Sequence, residues 1–501
     1  MSVWDCLGGE RAIGQLVPDA YAAYQRPIAA ALRFFVENLP GARAVSIVGE
    51  QLALDPSAGA DLRLTTLARA CPVLHKLGQV LARDRRLELG LRVQLQRLES
   101  MPTRVPIDVL RAQIERELGP LGRLGLSLEP EALAEASVAV VVPFTYRDGA
   151  GAGTNPGRGV FKVIKPGVEE RLDEDLALLE DVGAFLDGQC ARLEIPSLDY
   201  RDTFAQVRAL IGQEVRLDGE QRNLAAAHAA YANLEAIVQV PRLLPWSSPR
   251  VTAMERIDGR KVTEHAAIPS SDGSRLARQI VESLIAHPLW STEPAALFHA
   301  DPHAGNLLVT RDGRLAILDW SLAGTLSASE RTALGQVLLG AITLDARRIL
   351  AALQGLMERA GDAVALEQVV DRYLRRISGG SWPGFHWLKG LLDEAVQTAR
   401  LRAGNDLMMF RRMLLMVEGV VADVAHNAAP DLDSALTASF VCRLARESFV
   451  RALAPPWSRS FGTRLSNADL LSLASLLPMT TARIALDCWQ QVLLATTGVP
   501  A

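Results

Sequence analysis

A chain of 501 residues that is 49% hydrophobic and 22% charged is too apolar to be disordered as a whole and too long for one small core. Its net charge of −4 gives no electrostatic reason to expect nucleic acid as a partner. The five cysteines, Cys6, Cys71, Cys190, Cys442 and Cys488, form no CxxC pair and are odd in number, which argues against a disulfide framework or a structural zinc site and fits a reducing compartment.

Residues 1–15 carry Asp5, Glu10 and Arg11 among short apolar runs, so no signal peptide is expected. No uncharged apolar stretch reaches the ~18–20 residues that a bilayer crossing needs. The chain to residue 110 reads as mostly helical. Ile28, Leu32 and Phe35 follow Pro27 at helical spacing, a break falls at Asp55–Gly59, and periodicity resumes over Leu62–Leu98. Met101-Pro102 and Val105-Pro106 punctuate its end, and a short helix follows over Ile107–Leu121.

Val138–Val142 and Val160–Ile164 are β-branched runs and predict a hairpin. The Gly-rich Asp148–Gly159 between them fits neither GxGxxG nor GxxxxGK[ST]; it is read as a flexible turn, with nucleotide contact as the alternative. Pro166-Gly167 ends the second strand, and the acids from Glu169 to Asp175 suit the positive end of a helix dipole. Tyr200–Glu235 is expected as one long helical segment, with short strands at Ile237–Val240 and Arg250–Met254. From Ser270 onward the pattern is mainly helical, with Leu307–Leu318 as the exception, two short strands about the Asp312-Gly313 turn. Ala454-Pro455-Pro456 reads as a linker, and Leu470–Ala482 as a core helix or else a membrane-surface helix. This order predicts an α+β class, a strand-rich lobe joined to a helical lobe with a cleft between.

The chemistry concentrates in His299-Ala-Asp301-Pro-His303-Ala-Gly-Asn306 and Ile317-Leu-Asp319. Phosphoryl transfer needs one carboxylate to orient or deprotonate the acceptor hydroxyl, and a carboxamide with a second carboxylate to hold Mg²⁺ between phosphates. Asp301, Asn306 and Asp319 supply that set. His299 and His303 are read as local packing and hydrogen-bonding groups rather than metal ligands.

With this block in view, the chain resembles the UbiB/AarF family of atypical kinases. Lys76-Leu-Gly-Gln79 looks like the family's KxGQ motif, and Leu95-Gln96 to Pro102 like its "LQ…P" segment. Ala134-Glu-Ala-Ser137 looks like its Ala-rich loop, Phe161-Lys162 to Gly167 like its "VKVQRPG" strand, and Met254-Glu255 to Gly259 like its "MEWIDG" hinge. The resemblance covers roughly residues 70–325. It implies a bilobal protein-kinase-like fold, with a helical N-terminal extension (1–108), a small β-rich N-lobe (109–255), a helical C-lobe (256–450) and a helical C-terminal segment (451–501).

It further implies ATP or ADP with Mg²⁺ as cofactors, Asp301 as the catalytic carboxylate, and Asn306 and Asp319 as metal ligands. Lys162 would touch phosphate, with Lys165 as the bystander, and Glu220 would pair with Lys162. Ala134, Ala136 and Ser137 would cover the nucleotide, and the backbone of Glu255 to Ile257 would take the adenine edge. Lys76, Gln79 and Glu214 would gate the acceptor side, Glu214 and Glu220 pointing apart because six residues of helix turn ~600°.

Four positions depart from the family pattern. Arg216 stands where an ExD aspartate is expected, Asp319-Trp320-Ser321 replaces Asp-Phe-Gly, Ala304 replaces a Pro, and the hairpin before Lys162 is long. Asp319-Trp320 also resembles the "IDW" of aminoglycoside and choline phosphotransferases.

The expected activity is that of an ATPase or small-molecule or lipid kinase in isoprenoid-quinone or other lipid metabolism. The alternatives are a nucleotide-binding pseudokinase with a lipid or protein partner, a small-molecule phosphotransferase, and a helical scaffold whose motifs are relics. Placement is expected to be cytoplasmic or peripheral at a membrane surface. A lipid or prenyl-type molecule, a protein partner and a homo-oligomer are all compatible with the sequence; nucleic acid is not expected.

Overall fold

The computed structural model describes residues 2–81, 89–96, 105–147, 156–196, 199–212, 216–265, 270–359, 361–425, 432–476 and 478. The chain divides into two compact units, Met1–Arg222 with Arg242–Arg256, and Asn223–Pro241 with Ile257–Ala501. Small, mostly antiparallel sheets among many helices make it α+β.

The first unit opens with helices α1 (Val3–Cys6), α2 (Gly9–Gly14), α3 (Gln25–Glu37), α4 (Gly41–Leu52), α5 (Ala60–Ala70), α6 (Pro72–Leu81) and α7 (Leu89–Gln96). Phe35, Val36, Ile47 and Leu67 of this set share one core with Val182 and Leu186 of the long helix α9 (Val168–Leu193). Gly167, in a left-handed conformation at φ +67°, makes the turn from strand into α9, a geometry that favours glycine at that position. Helix α6 begins at a proline preceded by Cys71, which offers no capping oxygen. Asp175 of α9 supplies one instead: its carboxylate accepts from the Val73 N–H at 3.3 Å and pairs with Arg43 at 2.7 Å.

Helix α8 (Ile107–Leu118) packs Leu110 and Ile114 on a twisted sheet of β1 (Leu126–Leu128), β2 (Ala134–Glu135), β3 (Ala139–Tyr146), β4 (Gly157–Ile164) and β6 (Val251–Glu255). Phe144 and Phe161, cross-strand neighbours but one, stack with centroids 4.0 Å apart. The expected hairpin is therefore present, three to four residues longer than its β-branched cores; the tip at 148–155 lies outside the described residues.

Helix α10 (Tyr200–Gly212) and helix α11 (Leu217–Ala230) replace the single helix expected over Tyr200–Glu235. The ladder is broken at Arg216 because the Leu217 N–H bonds the Pro249 carbonyl at 3.0 Å and its side chain enters the sheet-edge core beside Val138 and Ile164.

In the second unit β5 (Val238–Gln239), β10 (Leu315–Ile317), β9 (Leu307–Thr310) and β7 (Gly259–Lys261) form one sheet, in that order. The Asp312-Gly313 turn is as predicted, with Gly313 at φ +83°. The chain after Ser270 is mainly helical, but Leu307–Leu318 is not its one exception. Strands β8 (Ala295–His299) and β11 (Ala323–Ser327) pair antiparallel, and Met357–Arg359 pairs with Arg402–Ala403. β8 and β11 escape a β-branched pattern because Gly324 lies under the Phe298 ring, where a Cβ would approach carbon atoms to 2.5 Å.

Two buried arginines brace this pair: Arg331 donates to the Leu326 and Glu293 carbonyls, and Arg464 to those of Ser291, Thr292 and Glu293. Among the described residues, no helix is long and apolar enough to cross a membrane.

His299 is buried and His287 half-buried, and desolvation pushes both imidazoles below their ordinary value. A base held neutral in the fold is protonated first in the unfolded chain, so stability begins to fall as pH drops through about 6.5 and keeps falling down to the lower folded pKa. A His287→Gln variant is expected to lose part of that acid sensitivity, read as a flatter dependence of the melting temperature on pH between about 7 and 5.

Candidate functional site

In the first unit, Lys162 lies in one cross-strand row: Ala134 pairs with Val141, Val141 with Lys162, and Lys162 with Thr252. Antiparallel partners share a face, so the Ala-rich segment and the lysine present themselves side by side. Both carboxylate oxygens of Glu220 reach the ammonium, at 2.8 and 2.9 Å, with Lys162 9% and Glu220 4% exposed. Gln221, which no sequence motif singles out, docks the start of α11 on β6. Its amide donates to the Ser248 carbonyl at 2.7 Å and the Thr252 hydroxyl at 3.0 Å, setting the helix phase that aims Glu220 at Lys162.

The Ala-rich segment is a tight hairpin closed by the Ala136 N–H to the Ala139 carbonyl at 2.8 Å, with Ser137 buried in its turn. Lys165 has a role in it that sequence reading missed. Its ammonium, 9% exposed, pairs with buried Glu135 at 2.7 Å, and its N–H bonds the Val138 carbonyl. Burial pushes the Lys165 pKa down, and the Glu135 charge opposes that push. The signal available in the sequence was an acid inside an otherwise small-residue loop.

Lys76 sits half-buried on α6; the side chain of Gln79 and all of Glu214 lie outside the described residues. Arg216 is an exposed surface residue paired with Asp218 at 3.3 Å. The N–H groups of Glu255 and Arg256 are bonded to the carbonyls of Arg242 and Arg158.

In the second unit, register builds the other half of the predicted set. Ile317 pairs with Leu307, and the Leu318 N–H bonds the Asn306 carbonyl at 2.8 Å, so Asn306 and Asp319 emerge at one end of the β9–β10 hairpin. The Asn306 amide donates to the Asp301 carbonyl at 3.2 Å and fixes the loop that carries Asp301. His299 is fully buried between the two segments. Its Nδ1 accepts from the Asp301 N–H at 3.2 Å, which leaves Nε2 to donate to the Leu318 carbonyl at 2.9 Å. Both ring nitrogens are thus committed to backbone, as local packing requires, and neither is placed to hold a metal. His303 likewise accepts from the Gly305 N–H at 3.1 Å.

Asp319 adopts φ +50°, a left-handed conformation costly for a residue with a Cβ but best tolerated by Asp and Asn. Its carboxylate accepts from the Ser321 N–H at 3.2 Å. The loss of glycine at Ser321 is harmless in this respect, since the positive φ falls on Asp319 and not on Ser321. Trp320 is fully buried, donates to the Ile317 carbonyl at 3.2 Å and meets His299 edge-on at 4.7 Å. It wedges the turn that presents Asp319.

Gly259 of the hinge-like motif crosses β9 so closely that an added Cβ would sit 2.8 Å from the Val309 carbonyl oxygen. Gly259→Ala is therefore expected to cost about 1–3 kcal/mol, seen as a lower denaturant midpoint.

The first unit thus holds a buried lysine–carboxylate pair, and the second holds an amide and a carboxylate at one hairpin end. Residues 96–353, just over half of the chain, match the ABC1 atypical kinase-like domain. Over 400 residues the chain is 28% identical to the probable protein kinase UbiB of Marinobacter nauticus, covering 75% of this chain and 68% of that protein. A solved complex of Rv3197 with erythromycin, from Mycobacterium tuberculosis, is similar with a TM-score of 0.48 and 18% identity, over 64% of this chain and 80% of that one. The chain thus has the α+β kinase-like fold and belongs to the UbiB/AarF family of ABC1 atypical kinase-like proteins.

Proposed function

We propose that the protein binds ATP or ADP with Mg²⁺ and acts as an atypical kinase or ATPase on a lipid or isoprenoid-quinone-type small molecule rather than on proteins. The observation that carries this reading is the buried Lys162–Glu220 pair. Burying a lysine and a carboxylate together brings little net stability, so such a pair is better explained by a cation kept ready for an anionic ligand.

In this reading Lys162 neutralises phosphate charge and Glu220 holds it in place. Asn306 and Asp319, an amide and a carboxylate on one hairpin end, are donors fit for Mg²⁺, which when bound would neutralise phosphate oxygens. Asp301 receives or orients the acceptor hydroxyl's proton. Ala134, Ala136 and Ser137 cover the nucleotide, and the backbone at Glu255–Ile257 meets adenine. Because the N–H groups of Glu255 and Arg256 are already bonded, the donor for that edge is the Ile257 N–H. Lys76, Gln79 and Glu214 exclude a protein acceptor. The lipid assignment rests on the likeness to UbiB.

The test is Mg²⁺-dependent phosphate release from ATP by the purified protein. Release that falls on the order of 10²–10⁴-fold in Asp301→Asn supports turnover through that carboxylate. Nucleotide binding without release from the wild type would leave a pseudokinase.

A further inference from the structure

Helices of the first unit wall a pocket of about 320 Å³, partly open to solvent, that none of the described site residues lines. Leu32 of α3, Ala68 of α5, Leu77 of α6, Leu91 of α7, Val182 of α9 and Phe204 of α10 each contribute to its wall. Among its described lining residues, only Tyr21 carries a polar side-chain atom. Protein interiors are packed like organic crystals, and voids larger than a water molecule are few. An unfilled apolar pocket of this size forgoes dispersion contacts along its wall, and its volume falls in the range of small-molecule pockets.

We infer that this cavity is a binding site for a single aliphatic chain, such as the alkyl part of a lipid. The wall chemistry selects the class. With one hydroxyl and no charge among its described residues, it favours an apolar ligand over a sugar, nucleotide or anion, and an unbranched chain gains from every methylene it buries.

The placement also gives the ligand a lever. Leu74, Leu77 and Gly78 line the cavity from α6, the helix that carries Lys76. An occupied cavity supports α6 along that face, in addition to the hold that Asp175 exerts at its N-terminus. This lever, unlike the cavity itself, rests on the gating role proposed for Lys76.

The test is a series of n-alkanols from hexanol to tetradecanol, each below its solubility limit, titrated into the full-length protein by calorimetry without nucleotide. Affinity is expected to rise about fourfold per added methylene, the equivalent of ~0.8 kcal/mol, until the cavity is full, and then to level off. Ala31→Phe, which adds a ring at the wall, should move the plateau to shorter chains; Leu32→Ala should move it to longer ones. Either shift supports the site, so a variant that fails to fold leaves the other to decide. No saturable binding, or a plateau that neither folded variant moves, overturns it. Because no nucleotide is present, failure here leaves the kinase reading standing, and loss of nucleotide binding leaves this site standing.

Discussion

In Asp319→Asn, the Mg²⁺-dependent part of the stabilisation by ATP is expected to vanish while the protein stays folded. Wild-type protein at a nucleotide concentration 100 times Kd should gain ~2.7 kcal/mol of stability, visible as a shift in thermal unfolding. Asparagine is the informative replacement because Asp319 sits at φ +50°. Asn is the other side chain that tolerates this region, and its carbonyl oxygen still accepts from the Ser321 N–H. The substitution thus removes one negative charge and leaves the turn intact, whereas alanine or valine would mix lost charge with backbone strain. An Asp319→Asn protein that binds Mg²⁺-ATP as tightly as wild type would remove Asp319 from the metal site. An Mg²⁺-independent shift in both proteins would separate nucleotide binding, the province of Lys162, from metal binding.

How much of this was legible beforehand depended on which signals are local. The hairpin of β9 and β10 announced itself through an Asp-Gly turn between apolar runs, and its register alone delivers Asn306 and Asp319 to one end. β3 and β4 were equally plain, because Val and Ile repeat where both faces are buried. β8 and β11 were not, since their pairing depends on Gly324 admitting the Phe298 ring, a contact that joins positions 26 residues apart in chain order and leaves no periodicity. The break between α10 and α11 was hidden for a related reason: the Leu217 N–H leaves the helix for Pro249, a partner supplied by tertiary structure. Lys165 illustrates the limit at the site itself. It lies one residue past the end of β4, where strand alternation no longer places it, and its pairing with Glu135 required knowing how the Ala-rich hairpin folds. Gln221 and the two bracing arginines, Arg331 and Arg464, act through backbone carbonyls, which carry no residue signature in sequence.

The largest stability effect is expected at the same pair that carries the functional reading. Glu220→Ala would remove the carboxylate that meets the Lys162 ammonium at 2.8 Å, in a site where the lysine side chain is 11% exposed. Removing one partner of a buried ion pair typically costs 3–5 kcal/mol, far beyond what the same change does at a surface pair such as Arg33–Glu37. Lys162→Met alone removes the other partner of the buried pair and should cost a similar amount. The double replacement Lys162→Met with Glu220→Leu removes both charges and refills the volume, so it should recover most of the loss, giving strongly non-additive denaturant midpoints. Nucleotide affinity should behave in the opposite way. It should fall in every variant that lacks Lys162 and stay low in the stable double variant. That divergence separates the two roles of the pair, because a purely structural ion pair would restore binding together with stability. A double variant that is stable and binds ATP like the wild type would show that phosphate charge is met by some other group.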